Sequence, residues 1–303
     1  MTRPIYILTG ATAGMGLHIA AHLREKTGAR LLVGARRPAQ ADHLKALVPE
    51  AEVFSLDLAS LASVAAFAAT VAERLGDEPP AGIICNAGLQ LAGPPRLTPD
   101  GVDESFAVNY LGHFALVEHL LPRLAPGGVV VTIGSGTHNP ADPLARLFGF
   151  RGADFPDAAR VAAGTIGRQD QPKRAGMDRY ATGKLCAILH MLDMAGRIAP
   201  AEARFYAFDP GLMPGTDLAR ARSAPERFAW RHLLPWLRYL VAGVSSAEAS
   251  AAALVEHLVL APEAHPSGAY VEFTGRLAPH DALARRADLA LALRAASLRL
   301  IGA

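Results

Sequence analysis

The fold is decided by one stretch near the start of the chain, Thr9-Gly10-Ala11-Thr12-Ala13-Gly14-Met15-Gly16. It follows an apolar run over residues 4–8 and leads into helical spacing over residues 16–26. Glycines let the main chain approach a pyrophosphate closely, and the free N–H groups at a helix start attract the anion. A glycine triplet alone is a weak signal, but a strand before it and a helix after it predict a dinucleotide-binding turn.

Strand and helix patterns alternate along the rest of the chain. Short apolar runs predict further strands at residues 30–35, 52–56, 81–85, 128–133, 203–208 and 269–273. Helical spacing is found at residues 39–47, 60–75, 100–121, 178–198, 245–260 and 280–300. This alternation is typical of an α/β protein. It predicts one Rossmann-fold domain over residues 1–303, with a doubly wound parallel sheet of about seven strands.

One segment departs from the alternation. Residues 139–176 are rich in proline, glycine, aspartate and arginine and show weak periodicity. We expect a surface insertion there, because an irregular buried main chain would leave polar groups unpaired.

Composition excludes several classes of protein. About half of the 303 residues are hydrophobic and 19% are charged, which is typical of a soluble globular domain. The net charge is +2 and no basic tract is visible, so no nucleic-acid partner is expected. Cys85 and Cys186 lie among apolar neighbours and are expected to be buried, reduced thiols. No signal peptide and no spanning run of apolar residues is found, which favours the cytoplasm.

The end of the second predicted strand indicates which nicotinamide nucleotide is used. An acidic side chain at that position holds the ribose hydroxyls of NAD, but this chain has Ala35 followed by Arg36 and Arg37. Guanidinium groups favour a 2′-phosphate, so the pattern predicts NADP(H). The alternative is a pair of solvated arginines before a helix. Asp57, after the third strand, could accept a hydrogen bond from the adenine amino group or serve a helix start.

Further motifs follow the glycine-rich turn in order. They are Asn86-Ala87-Gly88, Asn109, Ser135, Tyr180-Ala181-Thr182-Gly183-Lys184 and Pro210-Gly211. Together they resemble the short-chain dehydrogenase/reductase family over almost the whole chain. The segment from Asn109 to Phe114, the long spacer between Ser135 and Tyr180, and Ser267-Gly268-Ala269-Tyr270 resemble its retinol dehydrogenase and protochlorophyllide reductase branch. Gly134 stands where many members have a second serine, which leaves Thr137 as an alternative to Ser135.

The resemblance implies an NADP(H)-dependent oxidoreductase that transfers a hydride between nicotinamide and a carbonyl or alcohol. It implies a lipophilic small-molecule substrate and a catalytic set of Asn109, Ser135, Tyr180 and Lys184. No metal is expected. The resemblance implies cofactor contacts from Thr9, Gly10, Thr12, Gly14, Met15, Gly16, Arg36, Arg37, Asp57, Leu58, Asn86, Ala87, Gly88, Tyr180, Lys184, Pro210 and Gly211.

The predicted catalytic residues suit the chemistry. Hydride transfer to a carbonyl places negative charge on oxygen, which needs a positioned proton donor. Tyr180 and Lys184 lie four residues apart on a predicted helix and share a face, so the ammonium is expected to lower the pKa of the phenol. Ser135 can hydrogen-bond the substrate oxygen. The resemblance implies that Lys184 also holds the nicotinamide ribose and that Asn109 holds a water. Taken alone, the four-residue spacing also fits an ordinary surface pair.

Two other patterns suggest different chemistry. Ser135 and His138 suggest a nucleophile and its base, but glycines flank Ser135 directly, unlike the Gly-x-Ser-x-Gly turn of hydrolases. His18 and His22 have a spacing that can bind zinc, but no acidic ligand or third histidine accompanies them.

The family places a substrate lid after Pro210-Gly211, here at about residues 212–243. Within it, residues 228–240 hold both tryptophans, and arginines are interleaved with apolar side chains. This stretch fits an apolar substrate wall, an interfacial helix that dips into lipid, or a helix packed on the core.

Two other functions remain open at this point. One is reduction of a tetrapyrrole C=C bond, by analogy with protochlorophyllide reductase, and the other is a non-catalytic NADP-binding regulator. Because the insertion directly precedes the helix through which many family members oligomerise, we expect it to cover that helix and the protein to be a monomer or a weak dimer. The insertion could instead fold over the substrate cleft, which would leave the helix face free.

Overall fold

Seven parallel strands form one sheet in the computed structural model, which describes residues 3–213 and 243–303. In chain order the strands are β1 Ile5–Thr9, β2 Arg30–Ala35, β3 Glu52–Ser55, β4 Gly82–Cys85, β5 Gly128–Ile133, β6 Ala203–Asp209 and β7 Tyr270–Glu272. Their spatial order is β3-β2-β1-β4-β5-β6-β7, and every neighbouring pair is parallel. The predicted α/β Rossmann fold is confirmed.

Helices cover both faces of this sheet. They are α1 Gly14–Thr27, α2 Asp42–Leu47, α3 Leu61–Leu75, α4 Glu104–Phe106, α5 Gly112–Leu120, α6 Pro143–Leu147, α7 Ala158–Ala163, α8 Pro172–Arg197, α9 Ala247–Leu254 and α10 Ala287–Ile301. Central strands such as β5 are buried along their whole length, which explains why their sequences are nearly continuous in β-branched residues. One apolar cluster forms on each face, and Cys85 and Cys186 are buried free thiols, as predicted.

The helix predicted at residues 100–121 is shorter and interrupted. It begins at Glu104, because the Asp103 carboxylate accepts hydrogen bonds from the N–H groups of Ser105 and Phe106. A π-helical turn, Ala107–Leu111, then joins α4 to α5.

The insertion is more regular than its weak periodicity suggests. It contains α6 and α7, each started by an aspartate cap, Asp142 and Asp157 respectively. Its last residues already belong to α8, which begins at Pro172 rather than at residue 178.

Two elements cover the outer face of α8. The insertion contacts its N-terminal half, where the Asp154 N–H donates to Thr182 and Arg168 pairs with Asp178 at 2.7 Å. Helix α10 packs along α8 as well, and Arg294 of α10 lies 3.8 Å from Asp193. The sequence did not predict this second contact.

Candidate active site

A cleft of about 1360 Å³ opens along the carboxyl edge of the sheet. Strand order reverses between β1 and β4, which is where open α/β sheets bind their ligands. Most of the predicted site residues line this cleft: Thr9, Gly10, Thr12, Gly14, Met15, Gly16, Arg36, Asp57, Leu58, Asn86, Ala87, Gly88, Ser135, Tyr180, Lys184, Pro210 and Gly211. Of the predicted set, Arg37 and Asn109 are not among the lining residues.

The glycine-rich turn is folded tightly against β4. Gly10 has a φ of 68°, and a Cβ there would lie 2.8 Å from the Ala87 Cα. A Cβ on Gly16 would lie 2.2 Å from the Gly10 carbonyl oxygen and 2.4 Å from the Asn86 side-chain nitrogen. That nitrogen donates to the carbonyls of Thr9 and Gly10 at 3.1 and 3.0 Å. Only glycine fits at these two positions.

The start of α1 fits a pyrophosphate. The residue before the helix, Ala13, provides no side-chain cap, and the first turn carries no acidic residue. Its N–H groups are therefore available to an anion at the edge of the cleft.

A buried histidine that the sequence did not assign to the site supports the same turn. The Nε2 atom of His113 lies 2.9 Å from the Thr9 hydroxyl, which also accepts from the Ala87 N–H at 3.0 Å. Burial lowers the pKa of His113 to about 3, so its imidazole is neutral. In the sequence, the only sign of this role is that His113 is a polar side chain within an apolar helix.

The two arginines after β2 are placed differently. Arg36 is exposed and lines the cleft next to Ala35, so no carboxylate stands at the end of this strand. The Arg37 guanidinium donates to the Gln40 side chain instead. The Asp57 carboxylate lines the cleft and accepts from the Ala59 N–H at 3.0 Å. The helix start itself is capped by Ser60.

The predicted catalytic side chains come together at the end of β5. Tyr180 and Lys184 are only 7% and 4% exposed, which excludes the ordinary surface pair. The Ser135 hydroxyl faces the Tyr180 hydroxyl. It also accepts hydrogen bonds from the Thr137 N–H and hydroxyl, at 3.3 and 3.1 Å. Ser135 therefore stands between Thr137 and the phenol.

The ammonium of Lys184 is held by the main chain. It donates to the Ile133 carbonyl at 2.8 Å and lies 5.7 Å from the centre of the Tyr180 ring. Burial lowers the pKa of Lys184 to about 8, although the Asp209 carboxylate acts in the opposite direction. Lys184 is still mostly cationic at neutral pH.

The expectation that Tyr180 has a lowered pKa beside Lys184 is wrong for this structure. Burial raises the pKa of Tyr180 to about 12, and the opposing contact with Ser135 is weaker. Because a phenolate would be desolvated here, Tyr180 is a neutral phenol at physiological pH.

Asn109 lies behind the cleft, in the π-helical turn. Its amide nitrogen donates to the carbonyls of Leu89 and Ser105, and its oxygen accepts from the Leu89 N–H. A Cβ on Gly88 would lie 3.0 Å from the Asn109 oxygen and 3.5 Å from the Lys184 nitrogen. Asn109 thus holds the loop after β4 beside Lys184, and its predicted role in holding a water stays a prediction.

Comparison with known proteins identifies the family. The family model described as short chain dehydrogenase matches residues 4–144. Protochlorophyllide reductase B of Hordeum vulgare is 30% identical over 286 residues, which cover 87% of this chain and 69% of that protein. The chain belongs to the short-chain dehydrogenase/reductase family. The resemblance found in the sequence is confirmed, including its protochlorophyllide reductase branch.

This short-chain dehydrogenase/reductase is also similar to a fungal protein in sequence and to a solved carbonyl reductase in fold. The protein named short-chain dehydrogenase/reductase drtF of Aspergillus calidoustus is 35% identical over 185 residues, 56% of this chain. The match spans only 55% of that protein's length. The NADPH-bound carbonyl reductase from chicken fatty liver shares the fold, with a TM-score of 0.66 and 18% identity, over 92% of this chain and 95% of that chain.

The short-chain dehydrogenase/reductase cleft has one apolar wall. Its wall comprises Leu91, Val108, Leu144, Ala145, Phe148, Phe150, Leu212 and Met213. The Phe150 and Tyr180 rings lie 6.1 Å apart, so this wall reaches Tyr180. Residues 214–242, which hold most of the predicted lid and all of residues 228–240, lie outside the described residues.

A carboxylate at the end of β6 was missed by sequence reasoning. Asp209 lines the cleft and accepts from the Tyr270 hydroxyl at 2.7 Å and the Gly211 N–H at 2.9 Å. Burial raises the pKa of Asp209. The available signal was an acidic residue directly after a buried strand.

Two questions remain from the sequence: the possible zinc spacing of His18 and His22, and a membrane-spanning helix. His22 lies 4.0 Å from Glu25, and residues 3–213 and 243–303 contain no group of three or more potential metal-ligating side chains. Within the same ranges, no helix is both long and apolar enough to cross a membrane.

Proposed function

We propose that this chain is an NADP(H)-dependent reductase that acts on the carbonyl group of a lipophilic small molecule. The observation that carries the proposal is the meeting of Ser135, Tyr180 and Lys184 against an apolar wall in the cleft of the glycine-rich turn. We further propose one domain over residues 1–303, with an insertion at 139–176 and a substrate lid at about 212–243.

The cofactor end of the cleft supports NADP(H). The start of α1 and the turn at Gly10 and Gly16 suit the pyrophosphate, and Arg36 suits a 2′-phosphate where NAD-specific sites have a carboxylate. The carbonyl reductase with the same fold was solved with NADPH bound. When bound, the cofactor supplies the hydride.

The chain's own residues supply the proton. Tyr180 is a neutral phenol at physiological pH and donates its proton to the substrate oxygen as negative charge develops there. The Ser135 hydroxyl holds the same oxygen, and the Lys184 ammonium stabilises the negative charge that the phenol takes on. The apolar wall beside Phe150 offers these groups a surrounding of low polarity, which strengthens their interactions.

A substrate screen tests the proposal. NADPH consumption is followed with aldehydes, ketones and quinones such as decanal, all-trans-retinal and menadione, and each assay is repeated with NADH. We expect turnover of apolar carbonyl compounds with NADPH and its loss in Tyr180→Phe. Absence of turnover with every carbonyl, while NADPH binds, would favour the non-catalytic regulator.

A second candidate is reduction of a tetrapyrrole C=C bond. The observation that favours it is the 30% identity to protochlorophyllide reductase B over 87% of this chain. Incubation with protochlorophyllide and NADPH, in light and in darkness, separates the two functions. Light-dependent turnover of the pigment together with inactivity on carbonyls would replace the first proposal.

A further inference from the structure

His138 is completely buried next to the active-site serine, with an exposed fraction of 0%. Its Nδ1 atom lies 2.6 Å from the carbonyl oxygen of Ser135, and its Nε2 atom lies 3.2 Å from the N–H nitrogen of Asp281. A carbonyl can only accept and a main-chain N–H can only donate. The imidazole must therefore carry its proton on Nδ1 and a free lone pair on Nε2.

This geometry rejects the nucleophile-and-base interpretation of Ser135 and His138. The imidazole bonds to the Ser135 main chain rather than to its hydroxyl. Its other nitrogen is occupied by Asp281, at the start of the C-terminal region. His138 has no nitrogen left with which to take a proton from Ser135.

The surroundings lock the ring in place. The Tyr270 ring packs on it edge to face, with 5.5 Å between ring centres, and the Tyr270 hydroxyl is fixed by Asp209. Burial lowers the pKa of His138, although the Ser135 carbonyl and the carboxylates of Asp209, Asp281 and Asp142 act against this. The hydrogen bond from the Asp281 N–H to Nε2 requires the neutral imidazole, and burial acts in the same direction.

Ser135 is consequently held from two sides. Its carbonyl is fixed by His138, and its hydroxyl accepts from Thr137 in the same short turn, Gly136–His138. Because Ser135, Thr137 and His138 share this one turn, a shift of the Ser135 carbonyl would also move the Thr137 groups that hold its hydroxyl.

We propose that His138 is a positioning residue that aims the Ser135 hydroxyl at the substrate oxygen and at Tyr180, and that ties this aim to the docking of the C-terminal region through Asp281. The proposal rests on the proposed function, because it is read out through turnover. It adds a residue that touches neither substrate nor cofactor.

Three variants test it. His138→Phe keeps the ring and removes both hydrogen bonds, whereas His138→Asn keeps a donor near the Nδ1 position. His190→Phe is the matched control, because His190 is also buried but lies away from Ser135, packed on Tyr110 and Phe114. Against the best substrate among decanal, all-trans-retinal and menadione, we expect His138→Phe to lower kcat about tenfold. We expect His138→Asn to recover most of the lost kcat and His190→Phe to leave kcat unchanged. The Kd for NADPH should stay within about twofold in all three.

A double-mutant cycle distinguishes positioning from general destabilisation. If His138 acts through Ser135, His138→Phe should cause no further loss of kcat in a Ser135→Ala background. Losses that multiply in the double variant, or a His138→Phe enzyme with unchanged kcat, overturn the proposal. If His138→Phe does not fold, the same cycle is run with His138→Leu, which also removes both hydrogen bonds of the imidazole. An inactive wild-type protein would count against the proposed function, whereas an active wild type with multiplying losses counts against His138 alone.

Discussion

The Lys184 ammonium on α8 donates a 2.8 Å hydrogen bond to the carbonyl of Ile133, the last residue of β5. The ammonium is thus held at the carboxyl edge of the sheet, by a carbonyl two residues before Ser135 in the chain. Burial costs stability, because the pKa of Lys184 falls from 10.5 to about 8 on folding. Since the unfolded chain binds the extra proton, this cost is complete below pH 8 and disappears as the pH rises toward 10.5.

Lys184→Met should remove this pH dependence. Relative to the variant, the cofactor-free wild type should gain up to about 3 kcal/mol in free energy of unfolding between pH 7 and pH 10. Urea unfolding of both proteins at the two pH values measures the difference. An unchanged difference would show that the ammonium is not desolvated. The variant should also lose turnover, because it lacks the charge beside the phenol.

His190 should make the protein sensitive to acid. Burial lowers the pKa of His190 to about 3, and its Nε2 atom has no hydrogen-bond partner among the described residues. The unfolded chain therefore binds the extra proton, and stability is lost as the pH falls from about 6.5 toward 3. His190→Phe should flatten the fall in Tm between pH 7 and pH 4. Parallel Tm curves for wild type and variant would contradict this.

Arg36 should decide between the two nicotinamide nucleotides. We expect NADPH to bind at least tenfold tighter than NADH, on the order of 1.4 kcal/mol. Arg36→Ala should remove most of this difference, because its guanidinium lines the cleft. Arg37→Ala is the matched control. It removes the same charge from the neighbouring position, where the guanidinium bonds the Gln40 side chain. Calorimetric titrations that show equal affinities in the wild type, or equal losses in both variants, would refute the assignment.

Much of the fold could be predicted because its signals are local. The glycine-rich turn, the β-branched run of β5 and the spacing of Tyr180 and Lys184 depend on main-chain conformation and side-chain periodicity. Helices α6 and α7 are too short for periodicity to show, and their aspartate caps are the only local signal of them in the sequence.

The remaining features depend on tertiary packing. The sequence places His138 three residues after Ser135, but only the packing of Tyr270 and Asp281 buries it and selects its tautomer. The direction of the Tyr180 pKa was predicted wrongly for the same reason. The spacing to Lys184 is visible in the sequence, whereas the desolvation that outweighs it is not.

The covered face of α8 leads to a prediction about assembly. The insertion and α10 both pack on this helix, so a large two-fold interface built on it would have to displace them. We therefore expect a monomer or a weak dimer through another surface. Light scattering at micromolar concentration measures the mass, and a stable tetramer that forms through α8 would contradict the prediction.

Single-turnover and steady-state reduction by Tyr180→Phe, with NADPH and the best carbonyl substrate, tests the central claim most directly. The variant keeps the ring that packs against Phe150 and loses only the hydroxyl that faces Ser135. We predict that kcat falls by roughly two orders of magnitude or more, the scale of general-acid help, while the Kd for NADPH changes little. A variant that reduces its substrate at nearly the wild-type rate would show that Tyr180 is not the proton donor.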